Sequence, residues 1–328
     1  LEWLNGPKFT GPNTNIFYCE IKYIRNNKRI TIKMSTDNIV TCPLMGGLGN
    51  QLFQIFTTMA YGINTKRRIK FSKTDFLTIG TVRPTYWDTF LFSLNIFTDR
   101  NLDTNIHVLL VKGFQIQKEE GFTYTEIPHY PLTEKLCLAG YFQSYKYFHE
   151  KRDTLFQMIR MRSQRAQASI DYSNLILNHS NNISMHFRLG DYKNIQDCHP
   201  LMSYTYYEEA LDYIIRKKSG RPLHIIYFCQ TEDNEVVSEI IVKLSEKHPK
   251  IHFTKAGDEI PDWKQLLIMS CCDDNIIANS TFSWWGAYFN ETPGKIVCYP
   301  EKWFGPKISH DVRDLFPASW IKIPCCSV

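Results

Sequence analysis

Between residue 183 and the C-terminus, short apolar runs alternate with amphipathic stretches, and this alternation constrains the fold more than any other feature of the chain. Residues 183–187, 225–228, 251–253, 275–278 and 296–299 have the length and apolar character of buried strands. Between the first two, Tyr204, Tyr207, Leu211, Ile214 and Ile215 fall on one helical face, closed by Lys217, Lys218 and Gly220. Helices are expected again over 232–247, 262–271 and 282–289. Strands separated by helices lie parallel, with the helices covering both sheet faces.

The first half starts in the same way. Residues 39–42 form an apolar strand, Gly46, Gly47 and Gly49 a tight loop, and Leu52, Phe53, Ile55, Phe56, Met59, Ala60 and Ile63 recur at helical spacing. Residues 68–71 read as the returning strand, 108–111 and 136–139 as further strands, and 149–162 as a connecting helix. The expected fold class is α/β, with two Rossmann-like, doubly wound lobes facing a cleft. Residues 39–170 make the first lobe and 171–328 the second, with the seam near 165–180. In such folds ligands sit beyond the carboxyl ends of the strands. Residues 1–38 read differently. Gly6-Pro7 and Gly11-Pro12 punctuate a loop, and 15–18 and 29–32 resemble strands around Asn26-Asn27-Lys28, so this is a β-hairpin appendage or the end of a preceding domain.

Composition excludes several classes. With 43% hydrophobic and 22% charged residues among 328, and no long block of like charge, the chain has material for a core and no signature of disorder. A net charge of +5 suits an anionic small-molecule ligand and is too weak and too spread to suggest nucleic acid. No apolar run approaches the ~18 residues of a membrane span, and the first residues lack a signal-peptide pattern. The expectation is a soluble, cytoplasmic protein. The chain does not begin with Met, so it reads as a processed, trimmed or fragmentary form. Ten cysteines, including the neighbours Cys271-Cys272 and Cys325-Cys326, contain no Cys-x-x-Cys, which favours reduced thiols over a disulfide framework or a zinc site.

Three strand-to-helix junctions carry polar chemistry. At Gly46-Gly47-Leu48-Gly49-Asn50-Gln51 the glycines admit a ligand close to the backbone, and the helix N-terminus offers free N–H groups. The loop lacks the Lys-Ser/Thr of a P-loop and the last glycine of a dinucleotide fingerprint, so a plain tight turn is the competing reading. Paired amides at Asn50 and Gln51 suit a hydroxyl-rich ligand. At the second junction, alternation puts His186 and Arg188 on one side of a strand end, beside Gly190 and Asp191. A guanidinium suits a diphosphate; the competing reading is an Arg–Asp pair stabilising a turn. The third, Asn279-Ser280-Thr281-Phe282-Ser283-Trp284-Trp285, is either a phosphate or sugar cradle or an ordinary N-cap leading into core tryptophans.

Together these residues are recognisable. The segments GGLGNQLFQ (46–54), LAGYFQSYKYF (138–148), SMHFRLGDY (184–192) and NSTFSWWGAYFN (279–290) resemble the α-1,2-fucosyltransferase family, glycosyltransferase family 11, and their order and spacing are similar to its bacterial and viral members. The likeness runs from about residue 39 to the C-terminus. It implies a GT-B fold, GDP-fucose held mainly by the second lobe, and inverting, metal-independent transfer of L-fucose to the 2-hydroxyl of a galactose-like acceptor, a β-galactoside glycan. It implies that Arg188 meets the donor diphosphate, with His186 lining the pocket and Asn279, Ser280, Thr281, Phe282 and Ser283 along the phosphate or fucose. Gly47, Gly49, Asn50, Gln51, Tyr141 and Gln143 then face the sugars. Many relatives carry a second Arg where this chain has Leu189, which leaves Arg188 as the one motif guanidinium.

The residues themselves agree with metal-free chemistry, since no Asp-x-Asp occurs. No cofactor or metal is expected, and the leaving-group charge falls to Arg188, helix N-termini and hydroxyls. Asp191 is the candidate base, or else it orients Arg188. The acceptor is expected to be set by first-lobe loops at 81–88 and 113–130. The competing functions are another nucleotide-sugar transferase on this scaffold and a non-catalytic sugar- or nucleotide-binding relative.

Overall fold

A computed structural model describes residues 22–25, 28–31, 38–78, 80–218 and 220–324. The first lobe is built on β1 (Ile39–Thr41), α1 (Leu48–Thr65), β2 (Arg68–Ile69), β3 (Phe114–Lys118) and β4 (Lys135–Ala139). Its four strands are all parallel, in the order β2-β1-β4-β3. Helices α2 (Arg152–Met158) and α3 (Met161–Asp171) lead to a six-stranded sheet. That sheet comprises β5 (Asn181–His186), β6 (Leu223–Phe228), β7 (His252–Lys255), β8 (Asp274–Ile276), β9 (Val297–Pro300) and β10 (Ile321–Ile323). The strand order is β7-β6-β5-β8-β9-β10, every pair parallel. Its crossovers run through α4 (Tyr204–Lys217), α5 (Asn234–Lys247), α6 (Asp262–Cys271) and α7 (Thr281–Phe289).

The central strand β5 is buried at every position, as a strand covered on both faces must be. The strands that patterning misses, β3 and β10, are sheet edges. In β3 only Phe114 is fully buried and the other positions are polar or half-exposed, so no apolar run announces it. The expectation of a strand at 108–111 is wrong. These residues belong to a helix, Ile106–Val111, started by Asn105, whose side chain accepts from the His107 N–H at 2.9 Å. Only Leu109 points inward, and Val111 is 90% exposed. The single helix expected at 149–162 is broken where Arg160 adopts a left-handed φ of 54°. Of the N-terminal hairpin, Lys22–Arg25 pairs antiparallel with Lys28–Thr31, Arg25 opposite Lys28. The strand expected at 15–18 lies outside the described residues.

One aromatic core spans both sheets. Phe53 and Phe56 of α1 meet Trp284 and Trp285 of α7, with ring centroids 4.5 Å (Phe53–Trp284) and 4.7 Å (Phe56–Trp285) apart, and Phe148 stacks on Trp285 at 5.3 Å. Both tryptophans are fully buried. Each indole N–H is satisfied, Trp284 by the Leu315 carbonyl at 3.0 Å and Trp285 by that of Gly49 at 2.9 Å. The second lobe's α7 is thereby packed onto the first lobe's α1, and the N-termini of the two helices meet.

Candidate functional site

The glycine loop after β1 is shaped by its own helix. Gly46 sits at φ 76°, where only glycine is comfortable, and Gly47 is the extended N-cap of α1. The Gln54 amide closes the loop, accepting from the Met45 N–H at 2.9 Å and donating to its carbonyl at 3.2 Å. Asn50 then projects toward the second lobe. Its Oδ1 accepts from the Thr281 hydroxyl at 2.8 Å and from the Gln143 amide at 3.1 Å. Three of the four segments recognised in the sequence therefore meet at one oxygen. Gly49 makes that approach possible, since a Cβ there would stand 2.5 Å from the Thr281 backbone carbonyl carbon.

Gln51 does something else. It is fully buried, and its Nε2 donates to the carbonyls of Gly46 at 3.0 Å and Pro84 at 2.9 Å. Its amide braces a β-ribbon, Phe76–Leu77 against Arg83–Pro84, to α1. A second anchor lies two residues on, where the Tyr86 hydroxyl donates to the Asp262 carboxylate of α6. Held by these two anchors just after it, Arg83 reaches the second lobe, its Nη2 4.0 Å from Asp191 Oδ2.

At the end of β5, His186 is buried, its ring 5.5 Å from that of Phe282. Burial and then the Arg188 charge push its pKa down to about 3, so the imidazole is neutral at ordinary pH. Arg188 pairs with Asp191, donates from Nη1 to Gln230 Oε1 at 2.7 Å, and lies 4.8 Å over the Tyr192 ring. The turn itself is held by Asp233, fully buried, whose Oδ2 accepts from the Gly190 N–H at 2.8 Å and whose Oδ1 faces Lys193 Nζ at 2.7 Å. The Arg–Asp pair foreseen as a bland alternative does exist. Both terminal nitrogens of the guanidinium are engaged, Nη2 by Asp191 and Nη1 by Gln230, and Asp191 stays 55% exposed between two arginines.

At the third junction, Ser280 is the N-cap of α7, accepting from the Phe282 N–H at 3.3 Å. Ser283 donates back to the Ser280 carbonyl at 3.4 Å and is buried. Asn279 donates to the Pro200 carbonyl at 2.9 Å and the Trp303 carbonyl at 3.2 Å, leaving a buried, unbonded Oδ1. Its carbonyl accepts from the Tyr192 hydroxyl at 3.3 Å, which ties this junction to Arg188. Of the five residues named here from sequence, Thr281 bridges to the first lobe and Phe282 lines His186. The other three side chains bond to backbone.

Tyr141 is 38% exposed and Gln143 is buried. The turn carrying them is shaped by Glu119, whose carboxylate accepts from the Tyr141 N–H at 2.8 Å while Phe142 holds a φ of 52°. Burial raises the Glu119 pKa against the N–H groups that favour its anion. Sequence reasoning missed Arg83, Glu119, Gln230 and Asp233. Arg83 and Glu119 fall within the stretches 81–88 and 113–130 suspected of setting specificity, whereas Gln230 and Asp233 follow the end of β6 on a loop without motif. Among the described residues, no three His, Cys, Asp or Glu side chains cluster as metal ligands, and no helix is long and apolar enough to cross a membrane.

Two all-parallel sheets, with polar groups from both converging at the carboxyl ends of their strands, make a GT-B-like α/β architecture. The chain belongs to glycosyl transferase family 11, whose sequence model matches residues 14–323. It is 25% identical over 309 residues to the Escherichia coli O-antigen biosynthesis glycosyltransferase WbnK, covering 85% of this chain and 99% of that protein. It is 23% identical over 309 residues to the Escherichia coli alpha-1,2-colitosyltransferase, covering 87% and 99%. Among solved structures it is similar to an Arabidopsis thaliana FUT1 mutant in complex with GDP (12% identity, 87% of this chain, 76% of that one, TM-score 0.46) and to POFUT1 in complex with GDP-fucose (13%, 80%, 97%, 0.45).

Proposed function

We propose that this glycosyltransferase moves L-fucose from GDP-β-L-fucose to the 2-hydroxyl of a galactose-like acceptor, with inversion and without a metal ion. The observation that carries the reading is the convergence of Asn50, Gln143 and Thr281 at one point, joined through Asn279 and Tyr192 to Arg188. That arrangement offers amides and a hydroxyl for a sugar beside a cation for a diphosphate. The acceptor O2 attacks the fucose anomeric carbon while the bond from that carbon to the phosphate oxygen breaks, and GDP leaves with the electron pair. Arg188, and Arg83 from the other lobe, neutralise the departing diphosphate, a preorganised electrostatic contribution. Asp191 takes the acceptor proton.

A second reading has specific support, because one relative is named a colitosyltransferase. Colitose is fucose without its 3-hydroxyl, so the same cradle would serve either sugar. The test is a transfer assay with GDP-fucose, GDP-colitose, GDP-mannose and UDP-galactose, with product linkage read by NMR and a parallel arm in excess EDTA. GDP-fucose should be the preferred donor, with an α-1,2 product and undiminished rate in EDTA. Arg188→Ala should lose about 10²–10³ in kcat, comparable to deleting one preorganised donor. A near-normal rate for Arg188→Ala, or activity restored only by Mg²⁺ or Mn²⁺, overturns the mechanism.

A further inference from the structure

Outside the convergence point lies a cavity of about 530 Å³ bordered by residues 121–124 of the first lobe and by 309–311, 313 and 314 of the second. Its size falls within the range of small-molecule sites, roughly 300–1,000 Å³. One wall follows β3 and the other follows β9, so the cavity opens at the same carboxyl-end side of both sheets as the site already described. We propose that this cavity is the subsite for the inner sugar units of an extended, uncharged oligosaccharide acceptor whose terminal residue lies at Asn50 and Arg188. The proposal rests on the glycosyl-transfer reading above and adds where the rest of the acceptor goes.

The lining chemistry selects the ligand. Phe122 stacks against His310 at 4.7 Å with planes 3° apart, and Tyr124, 38% exposed, stands edge-on to Tyr147 at 4.9 Å. Aromatic surface of this kind suits the C–H face of a pyranose. Around it, Asp311 and Asp314 offer acceptors and Arg313 donors for ring hydroxyls. Arg313 is already paired with Asp311, and Lys146 with Asp314. A nucleoside diphosphate entering here would face two carboxylates with their cations committed, whereas a neutral saccharide finds donors and acceptors on every side.

Two continuous structures join the cavity to the transfer point. An aromatic strip runs from Arg188 to Tyr192 (4.8 Å), from Tyr192 to His199 (stacked, 4.6 Å), then to Phe304 (5.5 Å) and Phe122 (5.3 Å). On the other flank, Ser144, the neighbour of Gln143, donates to the Asp314 carbonyl at 2.7 Å, and the Asp314 carboxylate accepts from the Tyr124 N–H at 3.0 Å. These contacts place the cavity beside the Asn50–Gln143 amides, on the side to which an extended acceptor would continue.

The experiment compares lactose with the neutral tetrasaccharide lacto-N-neotetraose, for wild type, Arg313→Ala and Tyr124→Ala. Arg313 is 74% exposed and bonds locally, so its removal leaves the fold intact. Binding is measured by saturation-transfer NMR titration, and GDP-fucose binding by calorimetry. Both variants should weaken tetrasaccharide binding about tenfold, the loss of one or two such contacts, with lactose and GDP-fucose unchanged. Equal tetrasaccharide affinity in all three proteins, no tetrasaccharide binding by wild type, or an equal loss for lactose overturns the subsite. Because saccharide binding is read without turnover, a wild type that ignores GDP-fucose refutes the donor assignment alone.

Discussion

Gly49→Ala isolates the closest approach between the lobes. In an ordinary helix the change would stabilise by about 1 kcal/mol, because alanine loses less backbone freedom. Here the added carbon would lie 2.5 Å from the Thr281 carbonyl carbon, about 0.9 Å inside the 3.4 Å of ordinary contact. Both partners are backbone at helix N-termini, and the Gly49 carbonyl is fixed by the Trp285 indole at 2.9 Å, so neither can yield alone. Overpacking of this kind costs about 1–3 kcal/mol, which cancels or reverses the helical gain. The rate should suffer more than the stability. Pushing α1 from α7 by most of an ångström breaks the 2.8 Å bond from Thr281 to Asn50, and a displacement near 1 Å at a catalytic constellation costs about 10² in rate. Gly47→Ala is the control, because nothing lies within 4 Å of its would-be Cβ and its backbone is extended. It should lose about 1 kcal/mol or less as a poorer N-cap without parting α1 from α7. Thermal melting and steady-state transfer on both variants decide the matter. A Gly49→Ala protein that melts higher than wild type and turns over normally would show that the lobes do not touch as described.

Two shorter predictions concern charge. Arg83→Ala should lower kcat by about 10–10², less than Arg188→Ala, because Arg83 is the more exposed of the two cations near Asp191 (side chains 40% and 20%); a kcat equal to wild type, with GDP-fucose affinity also unchanged, removes it from the site. His186 stays neutral in the folded protein until about pH 3, while in the unfolded chain it binds a proton near 6.5. Between those values the unfolded state holds the extra proton, so stability rises with pH there and is lost on acidification, by about 1.4 kcal/mol per pH unit. Urea melts from pH 4 to 7 should show a shallower slope for His186→Phe, and identical slopes would contradict burial of a neutral imidazole.

How far the sequence could be read depended on which residues are governed by their neighbours in the chain. Helix α6 was legible to the residue, 262–271, because Pro261 precedes it and apolar positions repeat along it. Strand β6 was legible because its central positions are apolar on both faces, and β5 through the alternating Ile183, Met185 and Phe187. Edge strands β3 and β10 were not, since half of each meets solvent. The same logic divides the site. Arg188 and Thr281 stand in segments whose local pattern marks a strand-to-helix junction. Arg83 does not, because its place depends on Gln51 holding Pro84 and on Asp262 holding Tyr86, bonds that span the molecule. Gln51 shows the complementary case: a glutamine after a glycine loop looks like a ligand contact, and only the fold reveals that its Nε2 donates to two carbonyls.

The shared core limits how such a two-lobed molecule can move. Parting α1 from α7 would bare Phe53, Phe56, Trp284 and Trp285, all fully buried, and large apolar side chains cost about 1.5–3 kcal/mol each to expose. Against a total stability of about 5–15 kcal/mol, that opening amounts to unfolding. The floor of the site, Asn50 on Thr281, therefore moves as one body. Substrates must be admitted by the elements that this core does not weld: the loop at 121–124 and the segment at 309–314, which meet through the ring contact of Phe122 with His310. The Asn50–Thr281 floor and the rim at 121–124 and 309–314 thus differ in rigidity, and the stretch 113–130 expected from sequence to choose the acceptor contributes to the rim.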